Sequence, residues 1–392
     1  MAGVSLTTTA KFLLTCVALV AGSGAASADL PKIEPATPPP LEVPIALLVD
    51  LSSGQTLYAR EPDRRFMPAS ITKVMTAFTV FEMIAAGKIS PEQQLLVSDE
   101  IWSDWHGVGS TMFLANRQRV TVDALLYGIT TVSANDGAAV LAHGLAGSLP
   151  AWSERMNATA RSIGMRDSHF STPNGWMDEG RTFTTARDLA TLAEAMITRH
   201  PALYERYFGN RRLKFNNIEQ RNHDPVTGVV EGADGIKSGF TNQAGFGFLG
   251  SAERDGRRLV SIVAGSPTGR MQKAASRAFL EWGFRSFEDH PLFDQGEVVG
   301  EARVQGGSAR TVPLIAQRPI GYDLPVGQTA KVTLSIRYEG PLRAPIAQGE
   351  QVAELEIAVE GLRPSRVPLV AAQPIEEANI AERLVNGVAG LF

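Results

Sequence analysis

Cysteine is almost missing from this chain: 392 residues contain only Cys16. One thiol supports neither a disulfide framework nor a cysteine-based metal site. A basic surplus is missing as well. Lys and Arg number 37 against 41 Asp and Glu, a formal net charge of −4, so no positive field exists for nonspecific nucleic-acid binding. The six histidines (His106, His143, His169, His200, His223 and His290) show no paired ligand spacing such as H-E-x-x-H, and the glycines around Gly245-Phe246-Gly247, although spaced G-x-G-x-x-G through Gly250, lie in strand texture rather than in a phosphate loop. No metal and no cofactor are therefore expected. With 44% hydrophobic and 20% charged residues the composition is that of an ordinary globular protein, which excludes a disordered chain or a coiled coil.

The N-terminus carries one charge, Lys11, then an apolar run over residues 12–21 and the A-x-A pattern Ala26-Ser27-Ala28. The run is half the length of about 20 residues that a spanning helix needs, so residues 1–28 read as a secretory signal peptide. Cleavage after Ala28 removes Cys16, and a thiol-free chain suits an oxidising compartment. The sequence predicts an exported bacterial protein of the periplasm.

Residues 29–44 hold six prolines and read as an extended spacer. Residues 45–50 and 55–58 read as a hairpin turning at Gly54. Apolar residues recur at helical spacing from Ser70 to Ala86, ended by Gly87, and residues 122–145 and 186–197 are further helix candidates. Residues 246–249 and 259–264 are strand-like and separated by the hairpin dipeptide Asp255-Gly256; a helix over 270–282 follows. After residue 290 the texture becomes short alternating strands without helices. Val332, Leu334, Ile336 and Tyr338 share one face, residues 353–359 repeat the pattern, and residues 366–371, with Pro368, read as an edge strand. The segments therefore divide as 45–290, a mixed α/β catalytic domain; 291–372, a small all-β domain; and 373–392, an amphipathic C-terminal helix with Ile380, Leu384, Val388 and Leu391/Phe392 on one face. Two readings stand for that tail: packing on the β-domain, or peripheral contact with the inner membrane.

Ser70-Ile71-Thr72-Lys73 is the only Ser-x-x-Lys. On a helix, residues three apart share a face, so hydroxyl and amine can meet, and an amine held neutral can activate a serine. At a helix N-terminus, free N–H groups also favour developing negative charge. Ser133-Ala134-Asn135 is the only Ser-x-Asn; alone it reads as a polar turn capping a helix. Lys237-Ser238-Gly239 alone reads as a strand end with a bulge glycine. Together and in this order, the three match the motif set of serine β-lactamases and penicillin-binding proteins.

With these motifs, and with Thr184-Thr185-Ala186-Arg187-Asp188, Trp282-Gly283-Phe284 and Ala344-Pro345-Ile346, the chain resembles the low-molecular-mass penicillin-binding proteins that are D-alanyl-D-alanine carboxypeptidases. The resemblance covers nearly the whole chain after residue 28. It implies a penicillin-binding/β-lactamase-like fold, an antiparallel sheet flanked by helices with the site between sheet edge and helical lobe. It also implies roles. Ser70 attacks the carbonyl between two D-alanines of a peptidoglycan stem peptide; Lys73, neutral beside the cation Lys237, takes its proton; Ser133 relays that proton to the leaving nitrogen. Asn135 binds the stem and orients Lys73. The backbone N–H groups of Ser70 and Phe240 form the oxyanion hole, and Lys237, Ser238, Gly239 and Arg270 bind the substrate end that carries the terminal carboxylate. β-Lactams would be covalent inhibitors.

Two departures stand out. Ser238 replaces the usual Thr but keeps the hydroxyl, and the loop 172–180, with Trp176, is one residue longer than in many relatives, which bears on stem selectivity. For Arg270 a solvated helix-start arginine is the competing reading. Other functions stay open at this point: a class A-like β-lactamase, although Glu179 lacks that family's Glu-x-x-Leu-Asn context; a D,D-endopeptidase or transpeptidase; and a noncatalytic cell-wall binding protein.

Overall fold

The computed structural model describes residues 36–39 and 42–379. The expected signal segment 1–28, most of the spacer, and residues 380–392 of the expected terminal helix lie outside the described residues; residues 373–379, expected to begin that helix, are not helical, since Ile375 and Glu377 instead form bridges with Ile346 and Gly307.

The apolar run that opens the catalytic region becomes β1 (Ile45–Asp50), which turns at Gly54 into β2 (Thr56–Arg60). A 3-10 turn over Ala69–Ile71 leads into α1 (Thr72–Ala85). The short strands β3 (Gln94–Leu96) and β4 (Arg119–Thr121) pair around α2 (Asp99–Trp105). Next come α3 (Val122–Thr131), α4 (Asn135–Ala146), α5 (Leu149–Ser162), α6 (Ala186–Arg199) and α7 (Pro201–Tyr207). Side chains of Ser98, Thr121, Ser148 and Thr185 cap α2, α3, α5 and α6 by accepting from backbone N–H groups of the first turn. After the hairpin β5 (Arg212–Phe215) and β6 (Ile218–Arg221), the chain forms β7 (Ala233–Thr241), β8 (Gly245–Arg254), β9 (Arg257–Ser266) and α8 (Gly269–Ser286).

The main sheet is antiparallel, in the order β2-β1-β9-β8-β7. Its two faces divide alternate residues between two cores, as the period of two in a strand requires. Ile45 and Leu47 of β1 join Val260 and Ile262 of β9 beneath the helices α1, α3, α4 and α6. Ala46 and Leu48 join Leu259, Val263 and Phe248 beneath Phe279, Leu280 and Trp282 of α8. Burial on both faces explains why these strands read as continuous apolar runs. α1 packs against α3, α4, α5 and α6, so it is apolar on nearly every side.

The expected helix 122–145 is two helices. The chain breaks at Val132–Ala134, where Ser133 takes φ +63°, a left-handed conformation uncommon outside glycine. The polar turn read at Ser133-Ala134-Asn135 falls at this break, which the expected span 122–145 ran across because apolar residues flank it on both sides.

Past α8 the chain forms β10 (Phe287–Phe293), β11 (Val298–Gln305), β12 (Thr311–Ala316), β13 (Ile320–Pro325), β14 (Val332–Arg337), β15 (Leu342–Arg343), β16 (Gln351–Val359) and β17 (Ser365–Ala371). β10 pairs with β13, and the others form a sheet in the order β14-β16-β17-β12-β11-β15 around Leu314, Leu355, Ile357, Val367 and Leu369. The expected edge strand 366–371 is interior. β12 pairs with β17 only from Leu369 onward, so at Pro368 the missing N–H faces no ladder on that side. The true edge on this side is β14, where Leu334 is 39% exposed despite its clean alternation.

A buried ion cluster joins the main sheet to the β10–β13 pair. Arg257 of β9 donates from Nε to Asp50 of β1 at 2.6 Å and from Nη2 to Asp323 of β13. Ser53 Oγ donates to the other oxygen of Asp323 at 2.6 Å. Burial, with the Asp50 carboxylate adjacent, pushes the Asp323 carboxyl well above its usual range.

Candidate active site

The Ser70 turn is held in an unusual backbone. Ala69 takes φ +47°, and the N–H of Ile71 donates to the carbonyl of Pro68 at 3.1 Å. Two glycines make room for it. An ideal Cβ on Gly175 would fall 1.8 Å from the Ala69 carbonyl oxygen, and one on Gly239 would fall 2.5 Å from that of Pro68. The loop and the edge strand β7 therefore both reach the serine turn only because these positions lack side chains.

Lys73 is on the first turn of α1 and 1% exposed. Its Nζ lies 2.8 Å from Ser70 Oγ and donates to the carbonyl of Asn174, also at 2.8 Å. Burial pushes the Lys73 ammonium well below its usual range, the positive charge of Lys237 pushes it further, and Asp136 opposes. Lys237 itself is 4% exposed, and burial brings its ammonium down to about 8 while Asp224 opposes. Lys237 and Gly239 share a face of β7 by pleat alternation, and Gly239 packs on the serine turn. The Lys237 Nζ donates to the carbonyl of Ser238 at 2.9 Å.

Ser133 sits in the break between α3 and α4. Asn135 opens α4; its N–H donates to Ser110 at 2.7 Å and its Nδ2 to the Val108 carbonyl at 2.9 Å. The resemblance gave Asn135 the orienting of Lys73; among the described residues the Lys73 Nζ instead donates to the Asn174 carbonyl, while the Asn135 Nδ2 donates to Val108. Ser133 Oγ has no hydrogen bond among the described residues. Arg270 is exposed on the first turn of α8, has no ion pair among the described residues, and does not line the cleft.

That cleft, of about 320 Å³, is lined by Ser70, Gly109, Ser110, Asn135, Gly175, Trp176, Met177, Phe240, Thr241 and Asn242. The nucleophile candidate, Asn135 and Phe240 of the β7 edge thus border one space. Sequence reasoning passed over the loop 108–114 and its anchor. Asp136 accepts from the N–H groups of Met112 (3.0 Å), Leu114 (3.1 Å) and Gly137 (2.8 Å), pinning that loop across the start of α4. It also passed over Asn174, whose pairing with Gly175 is a turn dipeptide and the one signal that could have marked it. Among the described residues no three His, Cys, Asp or Glu side chains gather to hold a metal ion.

A buried amine whose charged form is disfavoured by burial and by the charge of Lys237, set 2.8 Å from a serine hydroxyl at a helix start, is equipped to form an acyl-enzyme. Comparison with known proteins agrees with that chemistry. The family model described as D-alanyl-D-alanine carboxypeptidase matches residues 33–268, and that of the penicillin-binding protein 5 C-terminal domain matches residues 287–377. The D-alanyl-D-alanine carboxypeptidase DacA of Haemophilus influenzae is 32% identical over 365 residues, 91% of this chain and 92% of its own. DacA of Escherichia coli K12 is 29% identical over 389 residues, 97% and 96% of the two chains. The crystal structure of penicillin binding protein 5 from Haemophilus influenzae superposes with a TM-score of 0.70 at 30% identity, covering 87% of this chain and 100% of that one.

Proposed function

This chain belongs to the D-alanyl-D-alanine carboxypeptidase family, and from that premise we propose how its own residues carry out the reaction. It is a serine D-Ala-D-Ala carboxypeptidase. In our reading, Ser70 Oγ attacks the carbonyl carbon of the penultimate D-alanine of a peptidoglycan stem and gives its proton to the neutral Nζ of Lys73. The N–H groups of Ser70 and Phe240 hold the oxyanion; one such donor is worth about 2.7–4 kcal/mol. As the C–N bond breaks, the proton passes through Ser133 to the departing D-alanine nitrogen. Lys237, Ser238 and Gly239 hold the substrate end bearing the carboxylate; Arg270, exposed at the start of α8 and outside the cleft, is kept only as a further partner that the resemblance implies for that carboxylate. Water then cleaves the ester, returning Ser70 and the shortened stem. A β-lactam presents the same amide in a ring and acylates Ser70.

The observation that carries this reading is the 2.8 Å approach of a buried Lys73 amine to Ser70. Glu179, where a deacylating glutamate would be sought, is exposed and does not line the cleft, which favours a long-lived penicilloyl ester over β-lactamase turnover. The decisive experiment is release of D-alanine from a pentapeptide stem by the wild type and by Ser70→Ala, with mass mapping of a penicillin adduct. Loss of release in the variant and an adduct on Ser70 support the reading; retained release in the variant defeats it.

The finer proposal places the enzyme in the periplasm, with residues 380–392 lying against the outer face of the inner membrane. Apolar spacing at Ile380, Leu384 and Val388 supports it, and co-sedimentation with lipid vesicles of the full chain and a chain ending at residue 379 tests it.

A further inference from the structure

The hairpin β5–β6 carries a charge arrangement that folding alone disfavours. Arg212 of β5 and Arg221 of β6 stand directly opposite each other in its register, so two guanidiniums rise from one face. Like charges so placed repel, and two strands of four residues offer little to offset them. Both arginines line a cleft of about 390 Å³, where Arg211 joins them. This cleft shares no lining residue with the one beside Ser70. Its one acidic lining side chain is already engaged. Asp224 accepts from the N–H groups of Val226 at 2.8 Å and Thr227 at 3.2 Å, and from the Thr227 hydroxyl. Glu219, outside the lining, pairs with Arg212. Among the described residues Arg221 has no side-chain hydrogen bond or ion pair, and the Arg211 guanidinium reaches only the Gly228 carbonyl, at 3.5 Å. A Cβ at position 228 would strike that guanidinium, so the glycine there seats it. Three guanidiniums around one committed carboxylate make this cleft a receptor for an anion.

Two further features narrow the anion. Val229 lines the same cleft and is 58% exposed, which sets an apolar patch beside the arginines. The space is also more than ten times the roughly 30 Å³ that one water occupies in the liquid, too large for a lone inorganic ion. A carboxylate with a methyl group beside it suits both: the guanidinium fork takes the two oxygens and the methyl lies on Val229. On the proposed carboxypeptidase reading, on which this inference rests, the substrate polymer carries many stems that end in alanine, before and after cleavage. We propose that the cleft of Arg211, Arg212 and Arg221 is a second, noncatalytic site for the carboxyl-terminal alanine of a neighbouring stem, tethering the enzyme to the polymer while Ser70 acts on another stem. The two clefts share a support. Gln220 Nε2 donates to the Thr111 carbonyl and Asn216 Nδ2 to that of Phe113, both at 3.1 Å, on the loop that carries Gly109 and Ser110 to the catalytic cleft. Two sites on one protein, filled by one polymer, raise the effective concentration of each stem for the other site.

The test starts from the full chain with Ser70 blocked by penicillin, so that only the second cleft is open. Calorimetric titration with acetyl-D-Ala-D-Ala should show binding, weakened at least about tenfold when the peptide ends in an amide and the charge-assisted pair is lost. Added salt should weaken it too. Arg211→Gln and Arg221→Gln should each lower the affinity by about tenfold or more. Without peptide, Arg221→Gln should melt no lower than the wild type, because the cross-strand repulsion is gone; that readout separates lost binding from lost folding. On polymeric peptidoglycan, Arg211→Gln should release D-alanine about fivefold more slowly, while release from a soluble pentapeptide stays within about twofold of the wild type. No binding by the blocked enzyme, equal binding of acid and amide, or inorganic phosphate binding as tightly as the peptide overturns the second site, while D-alanine release still upholds the carboxypeptidase reading. Absence of both a penicillin adduct and D-alanine release overturns that reading and the tethering role together.

Discussion

The carbonyl oxygen of Ala69 occupies the space where a side chain on Gly175 would begin, 1.8 Å from an ideal Cβ. Gly175 also takes φ +73°, and its N–H donates to Thr172 Oγ1 at 3.0 Å. The loop that supplies the Asn174 carbonyl to Lys73 is thereby pressed directly onto the serine turn.

Gly175→Ala is expected to act on both partners. The left-handed conformation alone costs about 1–2 kcal/mol, and the clash forces the loop or the serine turn to move. A lowered melting temperature should accompany a fall in Ser70 acylation by penicillin of at least a hundredfold, followed by mass spectrometry. Acylation at the wild-type rate would show that the contact does not position the nucleophile.

The rate of acylation should depend on pH through both lysines. Lys73 must be neutral to accept the proton, so the rate falls as pH drops through its lowered pKa. Lys237 must be charged to hold a carboxylate, so the rate falls again as pH rises past about 8. Removing the second cation relieves the repulsion on Lys73 and raises its pKa. Lys237→Gln should therefore move the acid limb to higher pH and lose the alkaline limb, besides slowing the reaction. An unmoved acid limb would mean that burial alone keeps Lys73 neutral.

Asp136 accepts three backbone N–H groups where the loop 112–114 crosses α4. Asp136→Ala leaves these donors unpaired in a buried place, an expected loss of about 2 kcal/mol or more by urea denaturation. Because the loop carries Gly109 and Ser110 to the cleft, KM for the peptide should rise as well. A loss of stability with KM unchanged would limit the carboxylate to a folding role.

Arg257 serves two buried carboxylates, Asp50 of the main sheet and Asp323 of the β10–β13 pair. Arg257→Met strands both, and removing one partner of a buried ion pair costs about 3–5 kcal/mol. Calorimetry should show a lower transition temperature and, with the link between the sheets weakened, separate transitions for the two parts. A single transition at the wild-type temperature would assign the cluster no share in holding them together.

Much of this enzyme was legible in one dimension. Ser70 and Lys73 are three apart, and helical geometry makes them neighbours without help from the rest of the chain. The apolar runs of β1 and β9, the Asp255-Gly256 hairpin and the start of α8 announce themselves by local chemistry, because turn and period are properties of adjacent residues. What local pattern could not carry was anything set by a distant partner. The polar turn at Ser133 shows in the sequence, but its left-handed backbone does not. The interior place of β17 depends on how far β12 extends. Lys73 takes its orienting bond from Asn174, a hundred positions along the chain, and the apolar wall of the cleft is assembled from a loop and a strand edge that only packing brings side by side. Sequence decides which groups are present and what their neighbours in the chain allow; the long-range fold decides which of them lose their water together, and that loss is what turns an ordinary lysine into a base.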